Sequence, residues 1–271
     1  MSFETLTLES VGRVARLTFN RPDCLNAISR RVIGEVNVAM DKIEADDGLA
    51  VVVLAGAGRA FSAGMDLKDD AAAAISGAAE WRRILSEDLD FIMRFWDSPK
   101  PTIAVAHGFC LAAACELAMA CDLTIAEEGT FFGEPELKFG SVITAMIMPY
   151  VTGPKIAKEL LLGADDRVTA ERARDVGLVN HVVPAGEGLN KAMAMAEQMA
   201  VMDADAVRLT KQAINGAFDS MGLRQALQIN LDLAIEIEAT ETPSRKTFKD
   251  IAAKDGLKAA LAWRDARMNG D

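Results

Sequence analysis

Glu116 stands in FCLAAACELAMACDL, residues 109–123, among alanines, cysteines, leucines and a methionine. A carboxylate in such surroundings loses its hydration and must be paired, protonated or in use. A possible partner lies in GTFFGEPELKFG, residues 129–140, where Pro135 stiffens the backbone between Glu134 and Glu136. If one of these carboxylates points inward beside Glu116, the pair's pKa values separate, giving one acid and one base near neutrality. Glu134, taken singly, fits a solvated acidic loop better. If a strand ends at Gly108 and a helix starts near Ala112, the first-turn N–H groups lack intrahelical partners and are free to bind an oxygen carrying negative charge. In that position the helix dipole favours the ionised form of Glu116. A second donor could come from GRAFSAGMDLKD, residues 58–69, where small residues around Gly64 let backbone approach backbone and turn an N–H toward a ligand. The alternatives are a non-catalytic buried polar network at Glu116 and a plain tight turn at Gly64.

Other chemistries lack their spacing. GAGRAF, residues 56–61, misses the third glycine of a dinucleotide loop, and no GxxxxGK[ST], HExxH or GxSxG occurs. The two histidines, His107 and His181, are far apart, so no metal is expected. His107 reads as a structural residue at a strand end.

The elements that must position the acids are legible in outline. FETLTLES and RVARLTFN alternate with period two and read as strands joined near Gly12. A helix follows over about 29–46. VVVLAGAG at 51–58, PTIAVAHG at 101–108 and DLTIAEEG at 122–129 read as buried parallel strands, with helices over 80–96 and 112–121 between them. AAAAISGAA, 71–79, reads as a small-residue loop or helix start, and the chain beyond about 190 as wholly helical. The expected organisation is an α/β core over 1–195 and a helical oligomerisation region over 196–271. With 271 residues, 51% of them hydrophobic, the chain can bury a full core. A net charge of −11 argues against nucleic acid or an anionic membrane as main partner. Cys24, Cys110, Cys115 and Cys121 show neither CxxC nor a secreted spacing and read as free thiols. With no signal-peptide pattern and no long apolar run, the expectation is a soluble, cytoplasmic protein.

Taken together, NRPDCLNAIS at 20–29, GRAFSAGMDLKD at 58–69, PTIAVAHGFCLAAACELAMACDLTIA at 101–126, FFGEPELKFG at 131–140 and ARDVGLVNHVVP at 173–184 resemble the enoyl-CoA hydratase/isomerase (crotonase) family. Their order and spacing match over nearly the whole chain. The resemblance implies a crotonase-like spiral of ββα units, an architecture shared with Clp-type peptidases, and a helical C-terminal trimerisation region. It implies a coenzyme A thioester as substrate with no separate cofactor, and a homotrimer, often paired into a hexamer. It places two oxyanion-hole N–H donors at Met65 and Ala113 and the two catalytic glutamates of the hydratases at Glu116 and Glu136. It places substrate and CoA contacts at Ala63, Gly64, Met65, Asp66, Leu67, Lys68 and Thr144. Holding both carboxylates favours hydration of a trans-2-enoyl-CoA to the 3-hydroxyacyl-CoA. Isomerase or other CoA-thioester lyase or hydrolase chemistry, or acyl-CoA binding without catalysis, are the alternatives.

Two departures carry expectations. Ala112-Ala113-Ala114 replaces a common run of three glycines, and alanine there suits a helical first turn with negative φ. SVITAMIMPYVTG, 141–153, replaces a glycine-rich stretch, so the acyl pocket should be bulkier or differently shaped.

Overall fold

The computed structural model describes residues 3–67, 77–240 and 242–269. The small-residue stretch read at 71–79 and the CoA contact expected at Lys68 therefore lie wholly or largely outside the described residues.

A six-stranded sheet forms the frame. Its strands are β1 (Leu6–Val11), β2 (Val14–Phe19), β3 (Val51–Gly56), β4 (Thr102–Ala106), β6 (Leu123–Glu127) and β9 (His181–Val183), in the order β1-β2-β3-β4-β6-β9. The first pair is antiparallel and the rest are parallel. A second sheet joins β5 (Phe109–Leu111), β7 (Phe131–Gly133) and β8 (Val168–Thr169). Twice the chain runs along a strand of the large sheet, turns within a few residues and continues as a strand of the small one: β4 into β5, and β6 into β7. After β5 it enters the helix α3 (Ala113–Ala120). This is the strand, strand, helix turn of a spiral.

Alternation along β3 explains the continuous apolar run of VVVLAG. Val52 and Leu54 face the main core, while Val51, Val53 and Ala55 face the opposite side. The main core is closed by α1 (Arg30–Ala45), α2 (Ala78–Asp97) and α3. The far side is covered by α7 (Gly188–Ala200), which places Ala192, Ala196 and Ala200 on the sheet. Alanines four residues apart form one smooth stripe, so the helix can lie close to the strands. The boundary expected at 195/196 falls inside this helix, which belongs to the sheet's packing.

Between β7 and α7 lie α4 (Met148–Thr152), α5 (Pro154–Leu162) and α6 (Ala170–Asp175). Beyond α7 come α8 (Ala204–Ser220), α9 (Leu223–Ala239), α10 (Pro243–Asp255) and α11 (Leu257–Asn269). Asp203 and Thr242 cap α8 and α10 by accepting from Ala206 N–H and Arg245 N–H. α9 packs on α2, and α10 and α11 fold back against residues 136–139. Arg245 and Glu238, both nearly buried, form an ion pair there, and the Ser141 hydroxyl donates to the same Glu238 carboxylate.

The turn between β4 and β5 depends on Gly108. Its φ is +61°, and a Cβ there would sit 2.0 Å from the Arg59 carbonyl oxygen. Neighbouring backbone cannot retreat as a flexible side chain would. Gly108→Ala is expected to destabilise the fold by about 1–3 kcal/mol or more, read as a lower urea midpoint.

Candidate active site

The site is assembled where β5, α3, β7 and the 141–147 segment meet. All eight residues of α3 are buried, Glu116 among them at 1% exposure. Its carboxylate is held by two backbone donors: Thr144 N–H to Oε1 at 3.0 Å and Ala145 N–H to Oε2 at 2.8 Å. Thr144, expected as a substrate contact, thus serves Glu116 through its N–H. Asn230 of α9 holds this segment in turn, its Nδ2 donating to the Ile143 carbonyl at 2.8 Å and the Thr144 carbonyl at 2.9 Å. Sequence reasoning missed Asn230, which is spaced three and four residues from Leu227 and Ala234 on the buried face of α9 and is 9% exposed. Such a residue must find partners.

The structure corrects the expected ionisation of Glu116. Burial, then the nearby Glu136 carboxylate, push its pKa up to about 8 against the opposing pull of the two backbone donors. Loss of hydration outweighs the helix dipole.

Glu136 opens a short 3-10 turn, Glu136–Phe139, directly after Pro135. Its Oε2 is buried without a hydrogen-bond partner among the described residues, and burial raises its pKa to about 7. Glu134 is no solvated loop residue. It is 1% exposed, and neither carboxyl oxygen has a partner among the described residues. Burial first, then Glu136, Cys115 and Glu116, hold its pKa well above the usual carboxylate range. No periodic signal marked it, since the strand ends at Gly133 and Phe132, Gly133, Glu134 and Pro135 are buried in succession. One carboxyl oxygen from each of Glu116, Glu134 and Glu136 lies within 4.8 Å of the others, a spacing that a cation as well as shared protons could bridge.

At the start of α3 two backbone segments are in close contact, that around Gly64 and that at 111–113. Ile28 N–H donates to the Gly64 carbonyl and Asp66 N–H to the Ile28 carbonyl, both at 2.9 Å. Flanking residues therefore make the bridge, and Met65 N–H turns the other way. Ala113 is the first residue of α3, where an N–H has no intrahelical acceptor. Neither N–H has a partner among the described residues. Gly64 makes the approach possible: with φ +90°, a Cβ there would lie 2.6 Å from Ala112 Cβ and 3.3 Å from Ala113 N.

Ala112 departs from the helical first turn expected of it. A strand, β5, intervenes between Gly108 and the helix, and Ala112 adopts φ 55° and ψ −137°. Its N–H donates to the Gly133 carbonyl at 2.8 Å, and its own carbonyl accepts from Cys115 at 2.7 Å and Glu116 at 3.2 Å. These bonds hold a conformation that an L-residue rarely adopts.

The remaining candidates are placed as follows. Ala63 N–H donates to the Leu25 carbonyl at 3.0 Å, and Asp66 pairs with Arg21 at 2.9 Å. Leu67 is 54% exposed at the rim. His107 Nε2 hydrogen-bonds the Gly58 carbonyl at 3.0 Å, a strand-end role. Cys110, Cys115 and Cys121 are buried free thiols, and Cys24 is an exposed one.

A family model described as enoyl-CoA hydratase/isomerase matches residues 9–253. The chain belongs to the enoyl-CoA hydratase/isomerase family. It is 34% identical over 272 residues to a probable enoyl-CoA hydratase of Rhizobium meliloti, covering 99% of each chain. It is 33% identical over 270 residues to the short-chain-enoyl-CoA hydratase of Clostridium acetobutylicum, covering 97% of each. Among solved structures, an enoyl-CoA hydratase/isomerase from Xanthobacter autotrophicus Py2 superposes with a TM-score of 0.96 at 47% identity, over 98% of this chain and 99% of that one. An enoyl-CoA hydratase from Mycobacterium smegmatis gives 0.90 at 25% identity, over 98% and 94%. The fold is the crotonase-like α/β spiral with a helical C-terminal region, and the family is enzymatic.

Two outcomes follow from this geometry. Ala112→Gly relieves a positive φ without disturbing the backbone bonds and is expected to raise stability by about 1 kcal/mol, measured by urea unfolding. The buried acids also tie stability to pH. The native state keeps a proton on Glu116 up to about pH 8, whereas the unfolded chain releases it near 4.5. Stability should therefore fall as pH rises through that window, and Glu116→Gln should flatten the slope of urea midpoint against pH.

Proposed function

We infer that this family member is an enoyl-CoA hydratase, adding water reversibly to a trans-2-enoyl-CoA to give the 3-hydroxyacyl-CoA. The observation that carries the reading is the pair Glu116 and Glu136. Both titrate near neutrality, at about 8 and about 7, and both lie within reach of a single small reactant. The hydratases named among its relatives support the same reading.

The proposed reaction assigns each group one task. The thioester carbonyl accepts from Met65 N–H and Ala113 N–H, which draws electron density from the C2–C3 double bond. Hydration draws on the singly protonated form of the coupled pair that carries its proton on Glu136; in that form Glu116, held by Thr144 and Ala145, takes a proton from the attacking water as its oxygen bonds to C3. The displaced electron pair moves into the enolate oxygen, stabilised by the two donors. Glu136 then delivers its proton to C2 and is left as carboxylate. Preorganised N–H donors of this kind are each worth on the order of 100- to 1000-fold in rate. We assign CoA contacts to Ala63–Leu67, with Lys68 beyond the described residues. The coenzyme A moiety belongs to the substrate, and the steps call for no further cofactor or metal.

Self-association as a homotrimer, or a hexamer of two trimers, is proposed on the resemblance and on the apolar residues that α8 and α9 leave exposed, including Leu209, Ile214, Ile229 and Leu233. A cytoplasmic location is proposed with it. No helix among the described residues is long and apolar enough to cross a membrane.

The test is loss of the enoyl-thioester absorbance across short, long and aromatic 2-enoyl-CoAs. Glu116→Gln and Glu136→Gln should each lower kcat by about 100- to 10,000-fold. Wild-type kcat/KM should be bell-shaped, with its limbs near pH 7 and 8 belonging to the pair. A product carrying only a shifted double bond would replace hydration with isomerisation, and CoA-thioester binding without turnover would remove catalysis altogether.

A further inference from the structure

Glu134 takes part in none of the steps above, yet its position is costly. It is 1% exposed, with neither carboxyl oxygen partnered among the described residues. An ionised carboxylate so placed would lack both water and donors. The titratable groups facing it are Glu136, Cys115, Glu116 and Cys110. Burial holds both thiols well above the ordinary thiol range, so neither supplies charge. Every neighbour that can carry charge here is another acid. Such a cluster is relieved when one member stays a neutral acid and offers its O–H to the next.

We propose that Glu134 is a positioning residue whose carboxyl O–H is directed at the carboxylate of Glu136, so that Glu136 can bear negative charge in a dry site. The proposal rests on the hydratase reading and deepens it. When Glu136 gives its proton to C2, it becomes an anion beside Glu116, with its Oε2 out of reach of solvent. A hydrogen bond to that anion lowers the cost of forming it. The proton of Glu134 strengthens its bond to Glu136 and stays on Glu134, so no net transfer passes through the third acid. In the reverse reaction Glu136 must be ionised before it can take the C2 proton, and the same bond supplies that state at neutral pH. Removing the donor therefore raises the pH at which Glu136 becomes a base.

Two variants separate this role from simple packing. Glu134→Gln keeps a donor of similar shape that does not titrate, whereas Glu134→Leu fills the space without one. Dehydration of a 3-hydroxyacyl-CoA is followed against pH for both. For Glu134→Leu the acid limb of kcat/KM should move up by about one pH unit or more, and kcat at neutral pH should fall about tenfold or more. Glu134→Gln should restore both toward wild type. Equal profiles in both variants, with only stability changed, overturn the proposal. So does an acid limb that moves down, which would mean that Glu134 is ionised and repels Glu136.

A second measurement does not depend on turnover. Infrared difference spectra of the free enzyme should show a neutral carboxyl carbonyl stretch that persists above neutral pH and is lost in Glu134→Gln. Absence of that band overturns the proposal even if hydration is confirmed. Its presence without hydration of any enoyl-CoA rejects the hydratase reading alone. Activity abolished by a chelator and restored by Mn²⁺ would show a cation in the cluster and also overturn the proposal.

Discussion

The two N–H groups of Thr144 and Ala145 that grip the Glu116 carboxylate constrain more of the molecule than any other contact in the site. They fasten α3, which hangs from the junction of the two sheets, to a segment with almost no regular structure. That segment needs support of its own, and Asn230 supplies it from the helical region by capturing two successive carbonyls. One carboxylate is thus located by backbone from one part of the chain and a side chain from another. An acid that must transfer a proton at a defined atom gains from such immobility, because its orientation is settled before the substrate arrives.

Against this stands electrostatic expense. Three glutamates crowd together, Glu116 and Glu134 buried and Glu136 partly so, and two backbone N–H groups donate to Glu116. The apolar frame tolerates the arrangement because strands such as β3 are buried on both faces and contribute hydrophobic stabilisation throughout. Ala112 adds backbone strain at the same place. Both penalties collect where backbone N–H groups and carboxyls converge, as expected of a site whose chemistry needs groups that a stable core would avoid.

The long elements were readable because they are periodic. The runs at 51–58, 101–108 and 122–129 gave central strands, and the amphipathic stretches after residue 190 gave helices. Strands β5, β7, β8 and β9 are two or three residues long, too short to show a period, and they arise from pairing that only the assembled fold supplies. Glu116 was conspicuous because its neighbours are apolar. Glu134 was not, because a neighbouring proline and glutamate make the same residue look solvated. The charge state of Glu116 was misjudged because the dipole is visible in a sequence, whereas the loss of water around a side chain depends on segments far away. At Ala112, where the sequence suggested the start of a helix over 112–121, the chain forms a strand, a strained turn and then a helix, since β5 claims the residues before it.

The contacts of α10 with the 136–139 turn, together with the Arg245–Glu238 pair and the Ser141 hydroxyl, set an order of events during synthesis. The turn bearing Glu136 leaves the ribosome roughly a hundred residues before the arginine that secures its surroundings. At about 5–20 residues per second, that interval is on the order of 5–20 s. The pair of Lys138 with Asp166 can hold the acid turn from residues made soon after it, and the last two helices add the remainder of its backing when they dock. The surroundings of the acid turn are therefore completed last, by residues more than a hundred positions further along the chain.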